Sequence, residues 1–265
     1  MRGKLVRPLA EGLEGRRLLS ATASVTFNAG SLLLTGTGGP STVSVQDSPS
    51  KNGPVIRASI GSKSITVPES SVTSIGVQVD GGCVALSTTL IAPTVQEFIF
   101  TGDLGSSVTA SSTAPIQISV GNGTNWVFIQ KDAGDVISTG TGYNLIFCGD
   151  AGDQVSLKGN GIVVGGAGPD TFFLAPNHTQ FVYGGGGDNT YYAFLGPSSQ
   201  VYLFGGADND VFNVMAVLPD TGDLWTHIKA LSGGSKKGGT DNNIVYGLSL
   251  PVPSSVFVSG IETWA

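Results

Sequence analysis

Cysteine, histidine and charge are all scarce in this chain of 265 residues. Two cysteines, Cys83 and Cys148, cannot build the disulfide-dense scaffold on which small secreted domains rely. The two histidines, His178 and His227, form no H-E-x-x-H pattern and have no spaced partner, so each reads as a solvated turn or loop residue rather than a zinc ligand. The Gly-x-Ser-x-Gly elbow of serine hydrolases is missing as well. Charged residues make up 12% of the chain, about half the usual share. No arginine follows Arg57. No apolar run approaches the roughly 18 residues of a membrane helix. The basic start leads into Leu18-Leu19-Ser20-Ala21 and not into the apolar stretch of about 7–15 residues that an ordinary secretory signal carries. Arg16-Arg17 is similar to a twin-arginine signal with a weak apolar follow-on.

Glycine and aspartate are what the chain has. Glycine accounts for 40 residues, and hydrophobic residues for 40%, too many for a disordered chain. Among the acidic residues, fourteen are Asp and five Glu. The short Asp side chain bonds nearby backbone groups and favours turns. Five basic residues fall in the first seventeen positions; the remainder carries eight basic against seventeen acidic groups. An acidic body lacks the Lys/Arg footprint that nucleic acid requires, and it suits divalent cations.

The glycines and aspartates recur together. Gly165-Gly166-Ala167-Gly168-Pro169-Asp170-Thr171-Phe172-Phe173 fits the nonapeptide G-G-x-G-x-D-x-U-x at every specified place. The copy at Gly184-Gly185-Gly186-Gly187-Asp188-Asn189 has Asn sixth, and Gly205-Gly206-Ala207-Asp208-Asn209-Asp210 has Asp in place of the fourth glycine. Cys148 to Ser156 keeps Gly149, Asp153 and the apolar Val155, and Asp132-Ala133-Gly134-Asp135-Val136-Ile137 keeps the Asp and the apolar place. Weaker copies end at Ser106 and Asn125, and Asp80-Gly81-Gly82 is a truncated turn. The second-place glycines, Gly81, Gly102, Gly121, Gly149, Gly166, Gly185 and Gly206, are separated by 21, 19, 28, 17, 19 and 21 residues. A period near 18–20 is two nonapeptides, one circuit of a flattened roll; the long step is an enlarged coil or one and a half coils. Short β-branched and aromatic runs such as Ile162-Val163-Val164 and Thr171-Phe172-Phe173 flank each copy and read as strands.

The predicted fold is therefore all-β: a right-handed parallel β-roll or β-helix solenoid with irregular N- and C-terminal caps. Residues 1–22 form an export or sorting segment, 23–79 capping strands and a hairpin, 80–215 the repeat domain, and 216–265 a loop with capping strands. One coil cannot bury its own core, so stability comes from neighbours. The apolar eighth residue points inward and stacks on its equivalents. All the Gly-Asp turns are expected on one edge, with irregular turns such as Pro176-Asn177-His178-Thr179 on the other. Cys83 and Cys148 then lie at least three coils, about 14 Å, apart, beyond the roughly 7 Å reach of a disulfide, and are expected as free buried thiols. Asn122-Gly123-Thr124 and Asn177-His178-Thr179 match the glycosylation sequon but read as turns; Trp126, Trp225 and Trp264 read as packing residues, and Lys236-Lys237 as solvated.

These nonapeptides resemble the RTX calcium-binding β-roll family over roughly residues 80–215, most closely over 148–213. The resemblance implies calcium held by sixth-place carboxylates and turn carbonyls of adjacent coils. Carried over residue by residue, the ligands are Asp135, Asp153, Asp170 and Asp210, with Asn189 offering a neutral carbonyl and Asp188 and Asp208 as compensating carboxylates. A turn role without metal is the alternative for the same residues. Leu13-Glu14-Gly15-Arg16-Arg17-Leu18-Leu19 resembles the LEPR-xLL motif of large bacterial surface and exported proteins, with Gly15 in place of proline. The expected function is a non-enzymatic calcium-binding structural or adhesive module of the bacterial cell surface or secreted fraction, with calcium ions and cell-surface components as partners. A β-helix polysaccharide lyase or hydrolase is the alternative; Lys131 and Lys158, the basic residues of the repeat region, lie away from the best-formed turns. A passenger cut from a larger gene ranks third, because the chain has its own start and a terminal strand.

Overall fold

Alternation decides the architecture. In Thr171–Leu174, Thr190–Leu195 and Gln200–Gly206, every second side chain is buried and the next faces out. A strand with one dry face must stack on others like it to bury that face. The result, a computed structural model, is an all-β solenoid of about eight turns. It describes residues 22–38, 41–80, 84–90, 94–130, 133–217, 223–234, 243–248 and 251–264. The LEPR-xLL-like motif, Cys83, Lys131 and Lys236-Lys237 lie outside the described residues.

Each coil contributes one strand to each of two sheets of 12 strands. Successive strands of the first sheet are Ser74–Asp80, Gln96–Thr101, Ile116–Ser119, Val136–Ser138, Gln154–Leu157, Thr171–Leu174, Thr190–Leu195 and Val211–Ala216, then the short Ile244–Tyr246 and Thr263–Trp264. The second sheet interleaves with Val84–Leu90, Ser106–Ser112, Asn125–Ile129, Tyr143–Phe147, Asn160–Gly166, Thr179–Gly185, Gln200–Gly206, Ile228–Ser232 and Phe257–Ser259. These strands pair in parallel throughout. At the N-terminal end the hairpin Thr22–Asn28/Ser31–Thr37 and the meander Ser41–Ser48, Val55–Ile60, Lys63–Pro68 are antiparallel. They cover the strand edges on which another parallel coil would otherwise pair.

The core is a set of columns, one residue per coil. The eighth-place column runs Ile137, Val155, Phe172, Tyr191, Phe212 and Val245, all fully buried. Its rings stack along the solenoid axis, with centroids 5.0 Å apart for Phe172–Tyr191 and 4.6 Å for Tyr191–Phe212. The Tyr191 hydroxyl donates to the Phe204 carbonyl at 2.8 Å, which satisfies the one polar atom that the column carries inward at that ring. Opposite, Val127, Ile146, Val163, Val182 and Leu203 line the second sheet's inner face.

The outer face of the second sheet carries two further columns in register. One runs Trp126, Leu145, Ile162, Phe181, Tyr202; the other Phe128, Phe147, Val164, Tyr183, Phe204. Trp126 is thus 50% exposed, not packed as expected. Trp225 is buried and tilts against the half-buried Trp264, with ring centroids 5.7 Å apart. His227, expected in solvent, is buried: it follows the turn Leu224–Thr226, and its carbonyl accepts from the Val201 N–H at 2.9 Å; His178 is half-buried in its turn.

Candidate metal centre

The two sheets are joined along two edges, and these differ. Chain passing from the second sheet to the first makes the turns that end at Asp135, Asp153, Asp170, Asn189 and Asp210. Strand register stacks these five residues directly over one another. The predicted upstream copies do not join them. Gly102-to-Ser106 and Gly121-to-Asn125 connect the first sheet to the second and lie on the opposite edge; Gly81 lies outside the described residues. The step of 28 residues between Gly121 and Gly149 is therefore one and a half coils, a jump from one edge to the other.

The column is longer than the nonapeptides reveal. Register extends it from Glu97 through Ile116 to Asp135, and from Asp210 through Asn243 to Glu262. Along it runs one repeated hydrogen bond, in which each side chain accepts from the backbone N–H of the coil before. Asp135, Asp153 and Asp170 each accept at 2.7 Å through Oδ1, from Ile116, Asp135 and Asp153 respectively. Asn189 accepts from Asp170 N at 2.9 Å, Asp210 from Asn189 N at 3.1 Å, Asn243 from Asp210 N at 2.8 Å, and Glu262 from Asn243 N at 2.8 Å. Asp135, Asp153, Asp170, Asn189 and Asp210 are all buried. The sixth place is thus a structural ladder that closes each turn onto its neighbour.

The second side-chain atom of each member turns into its own bend. At Asn189 this atom is the amide nitrogen, which donates to the carbonyls of Gly187 at 3.0 Å, Gly186 at 3.2 Å and Gly205 at 3.3 Å. At Asp153 it is Oδ2, which accepts from Gly149 N at 3.1 Å. At Asp170 it is Oδ2 again, buried and without a close hydrogen-bond partner, although the Gly166 N–H lies near enough to favour the charged carboxylate, as Gly149 does at Asp153. A Cβ on Gly165 would collide with that oxygen and with the Gly184 carbonyl oxygen, so the first-place glycine leaves room for both. An acceptor facing an acceptor where Asn189 places a donor calls for a proton or a cation. The second-place glycines serve closeness instead. A Cβ on Gly185, whose φ is +101°, would strike the Gly166 carbonyl oxygen, and one on Gly166 would strike that of Gly149.

Burial sets the electrostatics. Burial raises the Asp170 carboxyl to about 7; the Asp153 N–H opposes this, the Asp153 charge adds to it, and the Gly166 N–H opposes it again. Asp135 rises to about 7 for the same first reason, opposed by the Ile116 N–H and helped by Asp153. Glu97, buried with Oε1 unpartnered, rises to about 7 through burial, with the Thr88 hydroxyl opposing and Asp135 adding. Cys148 is free and half-buried, less covered than expected; burial pushes its thiol up, and the charges of Asp153, Asp170 and Asp135 push it further.

Asp188 and Asp208 share the turns but not the column. Asp188 is exposed and accepts from the Asn209 N–H at 3.0 Å, and Asp208 accepts from Gly187 N at 3.3 Å, so each closes the outside of a bend. Among the described residues no three His, Cys, Asp or Glu side chains converge on one point. A cation on this edge would therefore draw on one or two carboxylates and on turn carbonyls, an oxygen set that suits calcium rather than zinc.

The opposite edge has an uncharged counterpart that the Gly-Asp pattern did not reveal. Asn125 donates to the carbonyls of Gly121 and Gly123 at 2.8 and 3.0 Å, and Asn144 to those of Gly140 and Gly142 at 3.3 and 3.0 Å. The signal was present as Gly-x-Gly-x-Asn at 121–125 and 140–144. Among the described residues no helix is long and apolar enough to cross a membrane. Compared with known proteins, the chain matches no family model, no curated protein and no solved structure.

Proposed function

We propose that this protein is a structural or adhesive solenoid module of the bacterial surface or secreted fraction, not an enzyme, whose aspartate edge takes calcium. The observation that carries the reading is Asp170 Oδ2, buried without a close hydrogen-bond partner beside the Gly184 carbonyl, at the place where, one coil on, the Asn189 amide donates to the Gly205 carbonyl. Asp170 with carbonyls of its own turn would hold one ion and Asp210, two coils on, a second; Asp153 and Asp135 extend the same column. Calcium supplies charge there that offsets the buried carboxylates, and it stabilises the fold by RT ln(1 + [L]/Kd). In a low-calcium interior the chain stays looser, and it sets on meeting calcium outside. Calorimetric titration with calcium at pH 8 tests this: a saturable heat supports the reading, and no heat above dilution rejects it.

A metal-free ladder is the second reading, favoured by the seven-step hydrogen-bond run and by Asp153, whose second oxygen already has a donor. In that case protons do the work of the cation. The lyase alternative has only Lys158 as a described basic residue in the repeat region, and it is exposed. Incubation with polyuronates, watched for unsaturated-product absorbance, separates that reading from both.

A further inference from the structure

The capping meander takes no part in the aspartate edge, and it gathers the positive charge of an otherwise acidic molecule. The described basic residues are Lys51, Arg57, Lys63, Lys158 and Lys229, and the first three lie on this meander, against Asp47 and Glu69. Arg57 is the one arginine among the described residues. Strand register builds its surroundings. In Val55–Ile60 the residues Ile56, Ala58 and Ile60 turn into the core, so Arg57 and Ser59 face out. Gln46 and Thr66 flank Arg57 on the two neighbouring strands, and Ser44 and Ser64 flank Ser59 in the same way. These six residues line one groove of about 230 Å³.

None of the six side chains bonds to another described residue. On the adjacent hairpin the outward hydroxyls are instead spent on each other, Thr22 with Thr37 and Ser24 with Thr35. In the groove a guanidinium, an amide and four hydroxyls are left for a ligand. That chemistry narrows the occupant. An arginine with no carboxylate beside it calls for an anion, and its planar fork grips a carboxylate through two parallel bonds. The hydroxyls and the Gln46 amide call for a ligand dense in hydroxyl groups. Nucleic acid is a poor match, since one arginine among neutral groups is no Lys/Arg footprint. Size points to a polymer. The groove is smaller than the roughly 300–1,000 Å³ of a small-molecule pocket, and its three strands at ~4.8 Å make it ~10 Å wide. Its polar rows run on along the solenoid axis, from Ser44 to Ser87 and Thr109 and from Gln46 to Thr89, so a chain held at Arg57 meets hydroxyls beyond it.

We infer that this groove binds an acidic polysaccharide. Arg57 holds the carboxylate of one uronate unit, and the surrounding hydroxyls and the Gln46 amide bond to the hydroxyls of that unit and its neighbours. This gives the adhesive reading above a partner chemistry, and it rests on no calcium site.

Native affinity electrophoresis of the full chain, in gels cast with polygalacturonate, tests the inference; chelator is present so that calcium cannot bridge protein and polymer. The wild type is expected to be retarded. Arg57→Gln is expected to lose affinity by about tenfold or more. Lys158→Gln, which removes an equal charge from the repeat domain, is expected to bind as the wild type does, and neutral dextran to retard none of the three. Circular dichroism checks folding; if Arg57→Gln does not fold, Ser64→Glu, which sets a carboxylate in the groove, makes the same test. A wild type that polygalacturonate does not retard overturns the proposal. So does equal retardation by neutral dextran, an equal loss in Lys158→Gln, or a folded groove variant that binds like the wild type. Retardation seen only with calcium overturns it too and assigns the contact to bridging ions. A failure of the calcium titration leaves every one of these outcomes untouched.

Discussion

Replacing Asp170 with Asn should stabilise this protein at alkaline pH when calcium is withheld, although the residue is the best-matched aspartate of the repeat. The substitution keeps Oδ1, which accepts from the Asp153 N–H at 2.7 Å. It also gives the turn the amide donor that Asn189 already uses against three carbonyls. With the folded carboxyl raised from 3.8 to about 7, the folded state holds a proton that the unfolded chain gives up. The associated stability is complete below about pH 4 and is lost as pH climbs through 7. At ~1.4 kcal/mol per pH unit that loss is about 2–4 kcal/mol for this group, allowing for relaxation around the ionised form. Asn does not titrate, so Asp170→Asn should gain that amount at pH 8 in chelator and almost nothing at pH 4. For a domain of this size the gain corresponds to roughly 5–15 °C in Tm. Thermal melts by circular dichroism at the two pH values give the answer. Millimolar calcium should raise the wild type more than the variant and narrow the gap. A variant that melts lower than wild type at pH 8, or that gains equally at both pH values, would refute the reasoning.

Other outcomes follow from the same columns. Wild-type stability in chelator should fall between about pH 4 and pH 7 and level off above, because Asp135, Asp170 and Glu97 are raised to about 7 in the folded state and so hold protons that the unfolded chain gives up across that window; denaturant melts at four pH values check the slope. Phe172→Ala should cost about 3–5 kcal/mol, since it empties a fully buried place between Val155 and Tyr191; urea unfolding measures it. Gly166→Ala should destabilise the adjoining coils despite its small size, because the new Cβ collides with backbone that has no side-chain freedom to yield; hydrogen exchange should show lost protection in residues 148–174 first. Cys148 should alkylate far more slowly in the native state than after unfolding, since its thiol is pushed up by burial and by three nearby aspartates; a timed labelling assay reads this.

The fold was legible in the sequence because a stacked architecture repeats its own signal. Phe172, Tyr191 and Phe212 each sit at the eighth place of a copy, and each is fully buried in one column. The sixth-place residues Asp135, Asp153, Asp170, Asn189 and Asp210 also stack as their spacing implied. Edge identity was harder to read. A Gly-rich tight turn looks the same on either side of a two-sheet coil, so Gly102 and Gly121 passed for members of the aspartate edge until strand register separated them. Asn243 and Glu262 were missed because they lie nine residues after Gly234 and two after Gly260, against four in the nonapeptide, yet the ladder needs only a side-chain acceptor in register; Glu97 was missed because it lies inside the strand Gln96–Thr101. The inward direction of the aspartates was likewise hidden. Sequence spacing distinguishes a turn carboxylate from a strand residue, but not a carboxylate closing a backbone ladder from one, like Asp188, facing water.

The most direct test is an anomalous diffraction map from crystals grown with manganese or a lanthanide in place of calcium. The proposed account predicts a peak inside the aspartate edge, beside Asp170 Oδ2 and the Gly184 carbonyl. Peaks confined to the exposed Asp188 side of the turns, or an edge with no anomalous density at all, would contradict it and leave the protonated ladder as the explanation of these residues.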